Sequence, residues 1–210
     1  MIDQATYDRL LAKAQLTRDL FTFDEFLRYW AADRPDRAAM EGDDLTFSFA
    51  ELEDSTARVA SALLALGLNK GDRICWFGKN SVTYFTLFFG AARAGVVMVP
   101  VGWRLAEPEA AFIIDNAEAK LLFLGDGFDA CTDTLGQRPG LLHCFTADAA
   151  RREVIAAPRA EFEPSQADEA VLQLYTSGTT GNPKGAVLSN RNLFGLRKAG
   201  LDNPPAHSLW

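Results

Sequence analysis

Eleven consecutive residues carry most of the chemistry this chain could perform: Tyr175-Thr176-Ser177-Gly178-Thr179-Thr180-Gly181-Asn182-Pro183-Lys184-Gly185. Three glycines, four aliphatic hydroxyls and one lysine follow an apolar run, a composition able to wrap backbone N–H groups and a cation around phosphate oxygens. Ser177, Thr179 and Thr180 can donate hydroxyl hydrogen bonds, while Gly178, Gly181 and Gly185 permit close backbone approach or positive φ. A Lys184 ammonium near a phosphate oxygen contributes about 4 kcal/mol at 4 Å under an effective dielectric near 20. The spacing excludes a Walker A loop, which needs Gly-x-x-x-x-Gly-Lys-Ser/Thr and here meets Pro183 five positions after Gly178. A plain turn accounts for Asn182-Pro183-Lys184-Gly185, but not for the hydroxyl- and glycine-rich residues before it. The stretch reads as a loop that handles a nucleotide triphosphate. Ordering about ten backbone residues costs roughly 10 to 20 kcal/mol, so the loop is expected to be mobile without its ligand.

Such a loop needs a rigid platform. Thr22-Phe23-Asp24-Glu25 and Ser48-Phe49-Ala50-Glu51 read as capping boxes that open two helices. The first helix carries Phe26, Leu27 and Trp30 and should stop before Pro35. The second carries Leu52, Val59, Leu63 and Leu66 and should stop near Gly67; both faces are expected to lie on a sheet. Arg73 to Phe77, Val96 to Val101, Lys120 to Leu124, Leu141 to Phe145 and Val171 to Tyr175 are short β-prone runs, several almost wholly apolar, as when both faces of a strand are covered. Ser81 to Ala94 and Pro108 to Asn116 lie between them at helical spacing, with Tyr84 to Phe89 as core residues. This βαβ alternation predicts an α/β fold of mostly parallel strands flanked by helices. Residues 137–168, punctuated by Pro139, Pro158 and Pro164, read as a connecting region.

Composition narrows the field. The chain has 210 residues, 48% of them apolar, including 15 Phe, which suffices for a buried core. Its net charge of −7 argues against a nucleic-acid surface. From Ala170 to Leu201, however, there is no acidic residue, while Lys184, Arg191, Arg197 and Lys198 are present; the last two read as a solvated face. No run is long enough to span a bilayer, and Met1-Ile2-Asp3-Gln4 does not open a secretory signal, so a cytoplasmic protein is expected. Cys75, Cys131 and Cys144 lack disulfide or zinc spacing and read as packing residues. His143 and His207 have no second ligand at metal spacing, and each reads as structural.

Read in full, Thr-Ser-Gly-Thr-Thr-Gly-Asn-Pro-Lys-Gly resembles the signature of the adenylate-forming (AMP-binding) superfamily, which includes acyl-CoA synthetases, luciferases and peptide-synthetase adenylation domains. Leu45-Thr46-Phe47-Ser48-Phe49-Ala50-Glu51-Leu52 and Ala94-Gly95-Val96-Val97-Met98-Val99-Pro100-Val101 resemble two further segments of that family, in the right order. Gly102-Trp103-Arg104-Leu105 is closer to the Asn-Trp-Arg-Leu of free-standing acyl-CoA ligases than to the Leu-Asp-Pro of peptide-synthetase domains. The chain departs from the family where Thr/Ser-His-x-Asn becomes Ser189-Asn190-Arg191-Asn192; asparagine can cap a helix, but a histidine's role near the acyl group is lost.

The resemblance implies that residues 21–210 form part of a large AMP-binding domain, preceded by an extension over residues 1–20. Thr176, Ser177, Gly178, Thr179, Thr180, Gly181 and Lys184 would bind the phosphates of ATP. The implied reaction joins a carboxylic acid, such as a fatty acid, to AMP with loss of pyrophosphate and with Mg2+ present, then passes the acyl group to the thiol of coenzyme A. A carrier-protein thiol as acceptor, or a nucleotide-binding module without catalysis, are the alternatives. The family's adenine, ribose, hinge and catalytic-lysine segments lie beyond the phosphate loop and have no counterpart here, so no catalytic residue is assigned. The chain is expected to be the N-terminal part of a longer ligase, inactive and poorly packed alone.

Overall fold

The computed structural model describes residues 20–42, 45–176 and 183–195. Residues 177–182, and with them the expectation of a mobile loop, lie outside the described residues.

Local signals set the first elements. Helix α1 (Phe23–Asp33) opens on Thr22, whose Oγ1 accepts from the Glu25 N–H at 3.2 Å while the Glu25 carboxylate accepts from the Thr22 N–H at 3.0 Å. It ends at Asp33, two residues before Pro35, and the intervening Arg34 has left the helical region, as steric exclusion before a proline requires. Strands β1 (Ala38–Gly42) and β2 (Leu45–Ser48) then form an antiparallel pair that the sequence reading did not anticipate. Ser48 ends β2 and also caps α2 (Phe49–Ala65), reciprocating with Glu51, so strand and helix share a residue. The chain leaves α2 through Gly67 at φ +88°, a left-handed conformation glycine adopts without strain.

The remainder is a doubly covered sheet. Strands β3 (Arg73–Phe77), β4 (Val97–Val101), β5 (Leu121–Leu124), β6 (His143–Thr146) and β7 (Ala170–Thr176) run parallel, and β8 (Lys184–Ser189) runs antiparallel to β7; the spatial order is β6-β5-β3-β4-β7-β8. Helix α3 (Val82–Ala94), capped by the Ser81 hydroxyl, joins β3 to β4, and α4 (Glu107–Asn116) joins β4 to β5. A short turn, Asp129–Thr132, lies between β5 and β6, and one helical turn, α5 (Ala147–Ala149), widens over Ala150–Ile155 after β6. Residues 190–195 are helical. The five parallel strands match the five apolar runs of the sequence.

Strand alternation divides the core in two. Ile74, Trp76, Met98, Leu121, Phe123 and Val171 face α3 and the helices behind it, while Cys75, Phe77, Val99, Val101, Leu122 and Leu124 face α4. Both sets are buried, which is why the strands read as continuous apolar runs rather than alternating ones. Helix α2 corrects an expectation: its main partners are α1 and α3 rather than the sheet. It needs no strand because α3 is apolar on nearly every side, burying Leu87 and Phe88 as well as Ala91 and Ala92.

This helical layer is pinned by a buried cation. Arg93, 0% exposed, directs Nε to Asp24 of α1 at 2.8 Å, Nη2 to Glu53 of α2 at 2.8 Å, and Nη1 to the Glu53 carbonyl at 2.7 Å and the Thr56 hydroxyl at 2.9 Å. Nη2 also lies 2.7 Å from the Asp24 carboxylate. A guanidinium has five N–H donors and all find oxygen here, the condition under which a buried charge is tolerated. No helix among the described residues is long and apolar enough to cross a membrane.

Candidate nucleotide-binding site

Thr176 is the last residue of β7 and Lys184 the first of β8, and the two pair across the antiparallel ladder, as do Tyr175 and Gly185. The sequence-predicted loop is thus the connection of a hairpin, and its two ends stand opposite one another. Thr176 and Lys184 are exposed. Ser177, Gly178, Thr179, Thr180 and Gly181 lie outside the described residues. Among the described residues no acidic group lies within ion-pair distance of Lys184.

The hairpin leaves the sheet at its carboxyl edge. Parallel pairing puts the ends of β3, β4 and β5 (Phe77, Val101 and Leu124) on the same side as the end of β7. Open α/β sheets bind ligands outside this edge. Two glycines flatten it: a Cβ on Gly78, after β3, would sit 2.8 Å from the Cα of Gly125, after β5. Neither position admits a larger residue without backbone movement. The buried Trp76 indole lies against both glycines and donates to the Lys79 carbonyl at 3.2 Å.

Cations gather on the same edge. The Arg104 guanidinium lies 4.4 Å, and the Lys79 ammonium 5.2 Å, from the centroid of the Trp103 ring, which is 36% exposed. An aromatic face holds a cation by its quadrupole and leaves the charge accessible to an anion. The Gly-Lys pair following β3 carried this signal in the sequence but was not read as part of a site. Nor was Tyr175, whose hydroxyl donates to Asn116 Oδ1 of α4 at 2.7 Å and accepts from Gln173 Nε2 at 3.0 Å. Burial pushes the Tyr175 phenol above its ordinary value, so it remains a protonated donor near neutrality.

Other candidates resolve differently. Ser189, rather than Asn190, caps the helix at residues 190–195: its hydroxyl accepts from the Asn192 N–H at 3.2 Å, and its own N–H reaches Asn192 Oδ1 at 2.9 Å. Asn190 is fully buried and turned away, its Nδ2 donating to Ser165 Oγ at 2.9 Å and to the Gln166 carbonyl at 3.1 Å. The position thus serves the 165–166 segment. Cys75 is buried, and Cys131 and Cys144 partly so. Burial raises all three thiols, that of Cys144 to about 11, so none is a thiolate near neutrality. His143 is exposed on β6, and among the described residues no three His, Cys, Asp or Glu side chains gather as a metal would require.

The AMP-binding enzyme family profile matches residues 27–204. A fatty acid–[acyl-carrier-protein] ligase of Streptomyces coeruleorubidus is 37% identical over 193 residues, covering 87% of this chain and 36% of that protein. A long-chain-fatty-acid–CoA ligase of Mycobacterium tuberculosis is 33% identical over 156 residues, covering 71% of this chain and 31% of that protein. Among solved structures, a Mycobacterium tuberculosis fatty acyl CoA synthetase matches with a TM-score of 0.73 at 29% identity, over 81% of this chain and 35% of that one. The chain spans about a third of the length of these relatives. With its glycine- and hydroxyl-rich motif closing a hairpin at the carboxyl edge of a parallel sheet, the chain belongs to the AMP-binding enzyme family.

Proposed function

We propose that this chain supplies the phosphate grip of an acid–thiol ligase, which activates a carboxylic acid with ATP through an acyl-adenylate and then forms a thioester with coenzyme A. The observation that carries the reading is the pairing of Thr176 with Lys184 at the root of the hairpin. It sets a hydroxyl, and a cation with no acidic partner among the described residues, at the two mouths of a loop rich in donors. Activation requires attack on the α-phosphorus while charge on the departing pyrophosphate is held. Thr176, Ser177, Gly178, Thr179, Thr180, Gly181 and Lys184 are the residues proposed to hold it. Mg2+ would neutralise the same phosphates. A fatty or related acyl acid is the proposed substrate class, and the cytoplasm the proposed compartment, for a large AMP-binding domain of which residues 21–210 form part.

A carrier-protein thiol is the second reading, favoured by the likeness to an acyl-carrier-protein ligase at 37% identity. Acid-dependent exchange of labelled pyrophosphate into ATP by the full-length protein, over a panel of carboxylic acids, tests the first step. Transfer of the acyl group to coenzyme A or to a phosphopantetheinylated carrier then separates the acceptors. Absence of exchange with every acid would overturn the ligase reading.

A further inference from the structure

Beneath the hairpin, Gln173, Tyr175 and Asn116 form a directed chain of hydrogen bonds from β7 to the end of α4. Gln173 is 7% exposed, and its Oε1 has no partner among the described residues, so the bond to Tyr175 is what its amide makes there. Tyr175 spends its single proton on Asn116. Above this chain lies Gly185: a Cβ there would be 2.5 Å from Gln173 Nε2 and 3.2 Å from Tyr175 Cζ. The glycine is required because the two polar side chains occupy the space a side chain would take.

Strand alternation gives that fit a consequence. Successive residues point to opposite faces, so Gly185 sits over the relay while Lys184 points away from it. A slip of one residue in β8 would press the Lys184 side chain onto Gln173 and Tyr175 and turn its ammonium away from its present face. We propose that the Gln173–Tyr175–Asn116 relay, seated under Gly185, is a register lock that keeps Lys184 opposite Thr176 and so presents it to the triphosphate. Gln173, Tyr175 and Asn116 are then positioning residues that need not touch the nucleotide. The proposal rests on the ATP-dependent reading above.

The test uses the full-length protein with ATP. Tyr175→Phe keeps the ring and removes both hydrogen bonds of the hydroxyl. It is expected to raise the KM for ATP in pyrophosphate exchange about tenfold, leaving thiol transfer from preformed acyl-adenylate and the melting temperature unchanged. Asn116→Leu should reproduce the loss, Asn116→Asp should retain activity by keeping an acceptor, and Tyr175→Phe with Asn116→Leu should be no worse than either alone. Independently of activity, Tyr175→Phe should speed amide hydrogen exchange at residues 174–176 and 184–186. Unchanged exchange of these amides, additive losses in the double variant, or equal slowing of both half-reactions with a lowered melting temperature would each overturn the lock. If the unsubstituted protein catalyses no pyrophosphate exchange while the amide effect stands, the ligase reading falls and the lock survives it.

Discussion

Lys184 is the one cation among the described residues of the hairpin strands, and its surroundings bear on the phosphate contact proposed for it. With no acidic neighbour among the described residues, its charge is available to a ligand rather than spent within the protein. Lys184→Ala in the full-length protein is therefore expected to slow adenylate formation by roughly two to three orders of magnitude while slowing thiol transfer far less. Single-turnover measurement of each half-reaction checks this, and equal losses would count against the assignment. The motif was legible because glycine, hydroxyl and lysine each have one obvious use beside phosphate. The hydrogen bond of Tyr175 was not, since its hydroxyl donates to Asn116, 59 positions away in the chain, and sequence spacing carries no record of such a contact. Asn190 misled for a related reason: a polar residue at a helix start reads as a cap, whereas Ser189 takes that task and frees Asn190 to be buried.

Among the elements, the capped helices and the parallel strands were readable, because capping boxes and apolar runs are local signals. The β1–β2 pair and β8 were not. Lys184–Ser189 begins at a lysine and a glycine, has an apolar run of only Ala186 to Leu188, and is exposed along most of its length, so its strand signal is weak. The arginine that joins the first three helices was equally hidden, since nothing in α3 marks Arg93 as its buried charge. Arg93→Ala should destabilise the protein by about 3 to 5 kcal/mol, because the buried guanidinium that ties Asp24 of α1 and Glu53 of α2 to α3 is lost and those carboxylates keep only the more exposed Arg28 and Arg159; denaturant unfolding of the full-length protein measures it. The same cluster gives an acid response. Burial would raise the Glu53 carboxyl, but hydrogen bonds and charge from Arg159 and Arg93 outweigh it and hold it below its ordinary value of 4.5. A lowered carboxylate stabilises the fold above that value and loses its contribution as pH falls through the folded one. Stability should decline below about pH 4.5, and less steeply in a Glu53→Gln variant, as pH-dependent melting would show.

At the scale of the molecule, the sheet is well buried through β3, β4 and β5 and opens toward β8. Leu174 is 39% and Val187 53% exposed on the hairpin strands, and among the described residues β8 has a strand neighbour on one side only. Exposed apolar residues on an unpaired strand edge favour association with further chains. We expect residues 1–210 expressed alone to form no acyl-adenylate and to associate, and Val187→Lys to reduce the association. Sizing chromatography and pyrophosphate exchange decide both points: a sharp monomer peak with acid-dependent turnover would contradict them.

The strand order also sets a schedule. β4 lies between β3 and β7, and Leu172, which pairs with Met98, follows it by 74 residues. At about 5 to 20 residues per second of synthesis, one side of this apolar strand emerges roughly 4 to 15 s before the partner that will cover it. The edge where β7 docks is thus the last of the inner sheet to close in a nascent chain. Helper proteins that shield unpaired strands have their longest opportunity there, and slow codons between residues 101 and 170 would lengthen it.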